Sequence, residues 1–203
     1  MLYNNYMEKR IMPPKVKYSK DKVVKTALEI IEKQGMKELT ARNIAKKLGS
    51  STAPVYRHFD TMDELALEVI RRIQKKLLEY TSKPYTDRVF LNMGTGVAMF
   101  ACEHSKQYRA LLLEGDNYRD VVKEFLEILE TEMVKDLRFK TLSKEERHVL
   151  LNKMWTYTHG LASLISVGLI KDCNQEYIIK TLMDVGSDVI GATLAKHESN
   201  KSQ

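Results

Sequence analysis

An all-α protein is the fold the sequence predicts, and three observations carry the prediction. The 203 residues include only 9 Gly and 4 Pro, few breakers for a chain of this length, and no stretch alternates apolar and polar residues as a half-buried strand does. Apolar residues recur instead at spacings of three and four through most of the chain, the stripe that buries one face of a helix. Residues able to cap a helix stand at the ends of these stretches, among them Ser19, Thr40, Thr61 and Ser143 at the starts and Gly35 and Gly49 at the stops. The expected architecture is an N-terminal three-helix domain containing a helix-turn-helix, followed by a C-terminal helical domain. With 43% apolar and 30% charged residues, the composition is that of an ordinary soluble globular protein.

Residues 1–17 carry scattered charge, Pro13-Pro14 and no apolar periodicity. They read as a flexible basic arm, either following a DNA backbone or minor groove or simply forming a tail. Ser19 then opens a first helix with Val23, Val24, Ala27, Leu28 and Ile31 on one face, and Gly35 stops it. Thr40 caps the next helix, whose stripe is Ile44, Ala45 and Leu48, and Gly49 ends it because glycine takes the left-handed conformation most cheaply. Ser50-Ser51-Thr52 offers another cap. With Ser51 as N-cap, Pro54 falls third in the helix, where its missing amide has no intrahelical partner to lose. Val55 and Phe59 form the buried face. Two short helices joined by so tight a turn make a helix-turn-helix, whose second helix can enter a major groove. A fourth helix starts after Thr61, with Asp63 and Glu64 in its first turn where the helix dipole favours acid, and its pattern fades at Thr81-Ser82-Lys83-Pro84. The DNA-binding domain is therefore assigned to residues 18–80 and the second domain to 81–203.

That second domain reads as helices throughout. Asp87 to Ala101 is apolar at Val89, Phe90, Met93, Val97 and Phe100, although Gly94 and Gly96 interrupt it. A shorter segment from about Lys106 closes at Gly115, and a longer one follows from Asn117 to Leu137. Ser143 and Glu146 bracket a capping box opening a helix to about Ile170, and the last helix runs from about Asn174 to His197. Gly160, Ala162, Ser163 and Gly168 on the first of these two, and Gly186, Gly191, Ala192 and Ala195 on the second, suit a close helical interface. Paired across a two-fold axis, such helices form a four-helix dimer interface.

Charge divides unevenly. Residues 1–80 hold 17 Lys and Arg against 10 Asp and Glu, a net +7, whereas the remainder holds 16 against 17, a net −1. The excess positive charge thus lies on the helix-turn-helix segment, as a polyanionic partner for that segment requires. No apolar run approaches the ~18–20 residues of a membrane span, and the N-terminus lacks the apolar core of a signal peptide. The expected location is the cytoplasm, with no membrane partner. Cys102 and Cys173, far apart and outside any CxxC pattern, are expected as free thiols in a reducing compartment. His148 and His159, 11 residues apart, stand too far along one helix to share a metal. Nor does any nucleophile, carboxylate pair or phosphate loop occur in a usable arrangement. Cys102-Glu103-His104 is the one tempting cluster, and neighbours in sequence do not face one another on a helix. No enzyme activity, cofactor or metal is expected.

The run Leu39–Phe59 followed by Asp63-Glu64-Leu65 resembles the TetR family of bacterial transcriptional regulators. The matching residues are Thr40, Ile44-Ala45, Gly49, Ser51 and Val55-Tyr56-Arg57-His58-Phe59, with the helix opening at Asp63, so the resemblance spans about residues 18–79. Beyond it only the helix count and Trp155…His159-Gly160, similar to one TetR subgroup, agree. The resemblance implies a homodimer whose N-terminal helices bind a double-stranded, palindromic operator. It also implies a C-terminal domain that takes a small effector and so releases the DNA, usually as a repressor. Two departures stand out: Met62 occupies a position where the family usually has Lys, and Thr52-Ala53-Pro54-Val55 replaces its usual Lys-Gly-Thr-Leu.

Roles follow from position. Residues at the start of a recognition helix reach base edges, which makes Thr52, Ala53 and Pro54 the readers. Thr52 can hydrogen-bond a base, whereas Ala53 and Pro54 offer apolar contact of the kind a thymine methyl accepts. Ser51 stands with them at the helix start, and Arg57 can reach a guanine or a phosphate, its place in the second turn favouring phosphate. Thr40 and Arg42, opening the preceding helix, should meet the backbone through hydroxyl, amide and guanidinium. By resemblance Tyr56 and His58 contact phosphate as well; the lesser alternative for Tyr56 is a ring packed under the helix with its hydroxyl at the rim. For the effector, Met99, Phe100, Met154, Trp155, Tyr157 and His159 are the expected lining of a mostly apolar cavity.

Overall fold

The computed structural model describes residues 18–114, 118–171 and 173–201. The basic arm at 1–17 and the stop at Gly115 lie outside the described residues. Among these, nine α-helices and no strand occur: α1 Lys20–Gln34, α2 Ala41–Leu48, α3 Ala53–Tyr56, α4 Met62–Thr81, α5 Val89–Glu103, α6 Ser105–Leu112, α7 Arg119–Met133, α8 Lys144–Ser166 and α9 Gln175–Lys201. The fold is all-α, as the periodicity requires.

Helix ends fall where side chains can satisfy orphaned backbone groups. Ser19 Oγ accepts the Lys22 amide at 3.2 Å, Thr40 Oγ1 the Asn43 amide at 3.1 Å, and Thr61 Oγ1 the Glu64 amide at 3.2 Å. At α8 the capping box forms in both directions, the Glu146 amide donating to Ser143 Oγ at 3.2 Å and the Ser143 amide to Glu146 Oε2 at 2.8 Å. Gly49 ends α2 at φ 62° and ψ 42°, a left-handed conformation in which any Cβ is strained. α8 stops earlier than its apolar pattern suggests. The chain turns at Gly168, with φ 77°, and leaves Val167 and Leu169 exposed.

The core is continuous from α1 to α9. Val23, Val24, Ile44, Val55 and Phe59 are buried together with Leu65, Val69 and Ile73 of α4. The same helix passes Leu77 and Tyr80 into the packing of α5. Arg72 of α4 clamps α1 through Asp21 at 2.7 Å, and buried Gln74 donates to the Val121 carbonyl at 2.8 Å, fastening α4 to α7. α5 is the central helix of the second part, packed on α4, α8 and α9. His197 Nδ1 meets Glu146 Oε1 at 2.8 Å, joining the end of α9 to the start of α8.

Neither glycine expected to interrupt α5 does so; both are where another helix comes close. A Cβ on Gly96 would lie 2.6 Å from Thr81 Cα and against the Tyr80 carbonyl, so α5 touches the backbone of α4 there. A Cβ on Gly94 would lie 3.3 Å from Leu182 of α9 and 3.4 Å from Thr158 of α8. The cysteines also depart from expectation. Cys102 at the end of α5 and Cys173 between α8 and α9 have Cα atoms 6.0 Å apart and form a disulfide. Their separation of 71 residues hid this, because the chain returns to the start of α5 at Asp136 and α8 then carries it back to the end of α5.

Candidate nucleic-acid interface and effector cavity

Two places in the fold collect unused chemistry. The first is the surface around α2 and α3. Val55 and Phe59 face inward, so helical geometry turns Ala53, Tyr56 and Arg57 outward. Thr40, Arg42, Ser51, Ala53, Tyr56 and Arg57 are exposed, and Thr52, Pro54 and His58 are half-buried. α3 begins one residue later than the sequence suggests. Its N-cap is Thr52, not Ser51, so Pro54 is its second residue. Ser51 Oγ still receives the Ala53 amide, at 3.4 Å, and Pro54 loses no hydrogen bond in either place.

Tyr56 is 51% exposed, so its ring lies outside and not beneath the helix. His58 is otherwise engaged: its Nε2 donates to the Tyr18 carbonyl at 2.9 Å, while the Tyr18 hydroxyl donates to the Leu48 carbonyl at 2.7 Å. These two bonds tie the segment before α1 to both helices of the motif. Lys20 lies over the Phe59 ring, 4.8 Å from its centre, and Met62, at the position the family fills with Lys, packs on the core. Lys25 and Lys47 are paired to Asp21 and Glu29 at 2.9 Å each. Arg42, Lys46 and Arg57 have no carboxylate partner among the described residues. Their charges are therefore left to attract an external anion, chiefly phosphate.

The second place is a cavity of about 320 Å³ between α5, α8 and α9, at the lower end of the ~300–1,000 Å³ usual for small-molecule sites. Phe90, Met93, Val97, Leu151, Met154 and Leu182 give it an apolar wall, with Trp155 alongside and Arg88 and Arg138 also lining it. Of the six residues expected around an effector, Met154 and Trp155 line this space. Phe100 is fully buried, edge-on to Tyr80 with ring centres 5.4 Å apart, and Met99 and Tyr157 pack against the core at its margin. His159 stacks on Trp155 at 5.2 Å between ring centres, and its Nδ1 lies 2.8 Å from the Tyr108 hydroxyl. Burial pushes the His159 imidazole below its usual pKa, so the ring is neutral near pH 7. Leu129, Leu182, Gly186 and Ile190 also line the cavity and were missed by sequence reasoning. The signal in the sequence is Gly186 and Gly191, which read there as close packing; both border the cavity instead.

Asp136 sits at the Arg88 end of this space. Burial raises its pKa, but the Arg138 guanidinium and the Phe90 amide outweigh that and hold the carboxyl below its usual value. Arg138 Nη2 and Nε reach it at 2.7 and 2.8 Å, and the Phe90 amide donates to it at 3.3 Å. Asp136 thereby caps the first turn of α5, which Arg88, its N-cap residue, leaves uncapped. A third cluster joins the two halves of the molecule. His104 Nδ1 lies 3.0 Å from Glu32 of α1, its Nε2 lies 3.1 Å from the Tyr80 hydroxyl, and Tyr80 also donates to Glu103. Residues 103 and 104 converge on one hydroxyl because α5 ends between them, a geometry that an unbroken helix would forbid.

Comparison with known proteins matches the segment that contains α2 and α3. Residues 23–69 match the model of a family described as bacterial regulatory proteins, tetR family. The chain is 24% identical over 170 residues to the nucleoid occlusion factor SlmA of Haemophilus ducreyi, the match covering 73% of this chain and 82% of that one. In structure it is similar to a tetR-family transcriptional regulator from Streptomyces coelicolor, with a TM-score of 0.67, 16% identity, and 87% and 86% of the two chains covered. At that identity the likeness is one of fold.

Proposed function

The chain belongs to the TetR family through its N-terminal domain and is a DNA-binding transcriptional regulator, and from that premise we propose a ligand-responsive repressor. It binds a palindromic operator in the cytoplasm as a homodimer and is released by a small effector. The single observation carrying the effector half is the cavity of about 320 Å³ between α5, α8 and α9, a mostly apolar recess with a few polar groups of the kind that takes a small molecule. The dimer is supported by the outer faces of α8 and α9. Val149, Leu164, Val167 and Tyr177 are exposed there, beside Gly160 and Ala192, which leave space for a close partner helix. At the operator, Thr52, Ala53 and Pro54 read base edges, and Thr40, Arg42, Ser51, Tyr56 and Arg57 hold phosphates. His58 positions the motif through Tyr18.

A second reading drops the effector and leaves the C-terminal domain to dimerise or bind a protein partner. The observation favouring it is the similarity to a nucleoid occlusion factor. The test is selection of bound sites from random duplex DNA, followed by fluorescence anisotropy across a salt series. Inverted half-sites should be recovered, with affinity falling ~10³-fold or more between 50 and 200 mM salt. Failure to enrich any site, or an affinity indifferent to salt, overturns the operator reading.

A further inference from the structure

Resting on the effector reading above, we propose that the cavity takes an elongated apolar monocarboxylate, with its carboxylate at Arg88 and its hydrocarbon body along α5 between α8 and α9. The wall of the cavity contains two guanidinium groups and no carboxylate. The two arginines are not equivalent. Arg138 is held by Asp136 in a two-point pair at 2.7 and 2.8 Å, so it presents little net charge to a ligand. Arg88 is exposed and makes no hydrogen bond or ion pair through its guanidinium among the described residues. Asp87, an exposed carboxylate acting on Arg138, is not part of the wall. A cation placed here would meet Arg88 with nothing to offset it, whereas a carboxylate gains a planar, two-pronged donor.

The rest of the wall sets the shape. Arg88 and Val97 both border the cavity, and nine residues of helical rise separate them by ~13 Å along α5. Between them the surface is hydrocarbon, from Phe90 and Met93 to Met154 and Leu182. Thr158 is 4% exposed, borders the space, and its hydroxyl has no hydrogen-bond partner among the described residues. It faces Gly94, about two-thirds of the way along this path from Arg88, where it can meet a single polar atom on an otherwise apolar chain. A head at one end and a long dry body therefore describe the occupant better than a compact polar metabolite does.

Titration of the full-length protein with decanoate, 1-decanol and decyltrimethylammonium below their micelle concentrations, followed by Trp155 fluorescence and calorimetry, tests this. Decanoate should bind about tenfold or more tightly than decanol, and the ammonium compound most weakly. Arg88→Gln should abolish the advantage of decanoate and leave decanol unchanged, while Arg88→Lys keeps part of it. Circular dichroism melting of both variants should match the unaltered chain, since Arg88 is exposed. If decanol or the ammonium compound binds as tightly as decanoate, or if Arg88→Gln leaves decanoate binding intact, the charge assignment is overturned while the cavity stands as an effector site. If none of the three binds, the effector reading falls with it.

Discussion

Gly96→Ala should damage this protein far more than a single methyl suggests. An added Cβ would sit 2.6 Å from Thr81 Cα and nearer still to the Tyr80 carbonyl. Both are backbone atoms of α4, so no side chain can swing aside, and the two helices must separate. Overpacking of a core costs ~1–3 kcal/mol when side chains can adjust, and the better helix propensity of Ala returns at most ~1 kcal/mol. With rigid backbone as the obstacle, a net loss of ~3 kcal/mol is expected, or roughly 6–12 °C in Tm for a chain of this size. The matched control is Gly160→Ala in α8, where a Cβ meets nothing of its own chain within 4 Å; propensity alone should add up to ~1 kcal/mol to the monomer, and a loss confined to the dimer would reflect the partner helix proposed to pack there. Urea unfolding followed by circular dichroism measures both. A Gly96→Ala protein within ~0.5 kcal/mol of the parent would refute the reasoning that α5 and α4 are in backbone contact. The contact also bears on function, because α4 carries the helix-turn-helix at one end and meets α5 at the other.

Reduction of the Cys102–Cys173 bond releases a loop of 71 residues, worth roughly 4 kcal/mol by chain entropy. Dithiothreitol, or Cys102→Ser, should therefore lower Tm by roughly 10 °C, and an unchanged melt would deny the disulfide a stabilising role. The lowered pKa of His159, caused by burial, means that the folded chain binds fewer protons there than the unfolded one. Stability from this group is complete above its ordinary pKa of ~6.5 and is lost as pH falls through the depressed value. Melts between pH 7 and 5 should show a decline that His159→Gln blunts; parallel curves would count against it. At the operator, Thr52→Ala should relax preference at one base position at a cost of ~1–3 kcal/mol, whereas Arg57→Ala should weaken all sequences alike. Competition binding on single-base variants separates the two, and a base-specific loss from Arg57→Ala would reverse the assignments.

What the sequence by itself determined is local. The caps at Ser19, Thr40, Thr61 and Ser143 and the stops at Gly35 and Gly49 act through hydrogen bonds and dihedral angles spanning a few residues, so they are legible in the order of residues. The buried stripe Val55–Phe59 and the excess positive charge before residue 80 are legible for the same reason. Tertiary structure decided whatever depends on which helices meet. It turned Gly94 and Gly96 from interruptions into contact points, joined two cysteines that the chain holds 71 residues apart, and engaged His58 with Tyr18. It also drew the cavity wall partly from α9, whose glycines read in the sequence only as close packing. A helix stripe announces that a face is buried but not what covers it, and the partner is set by chain path and the volume of side chains arriving from elsewhere.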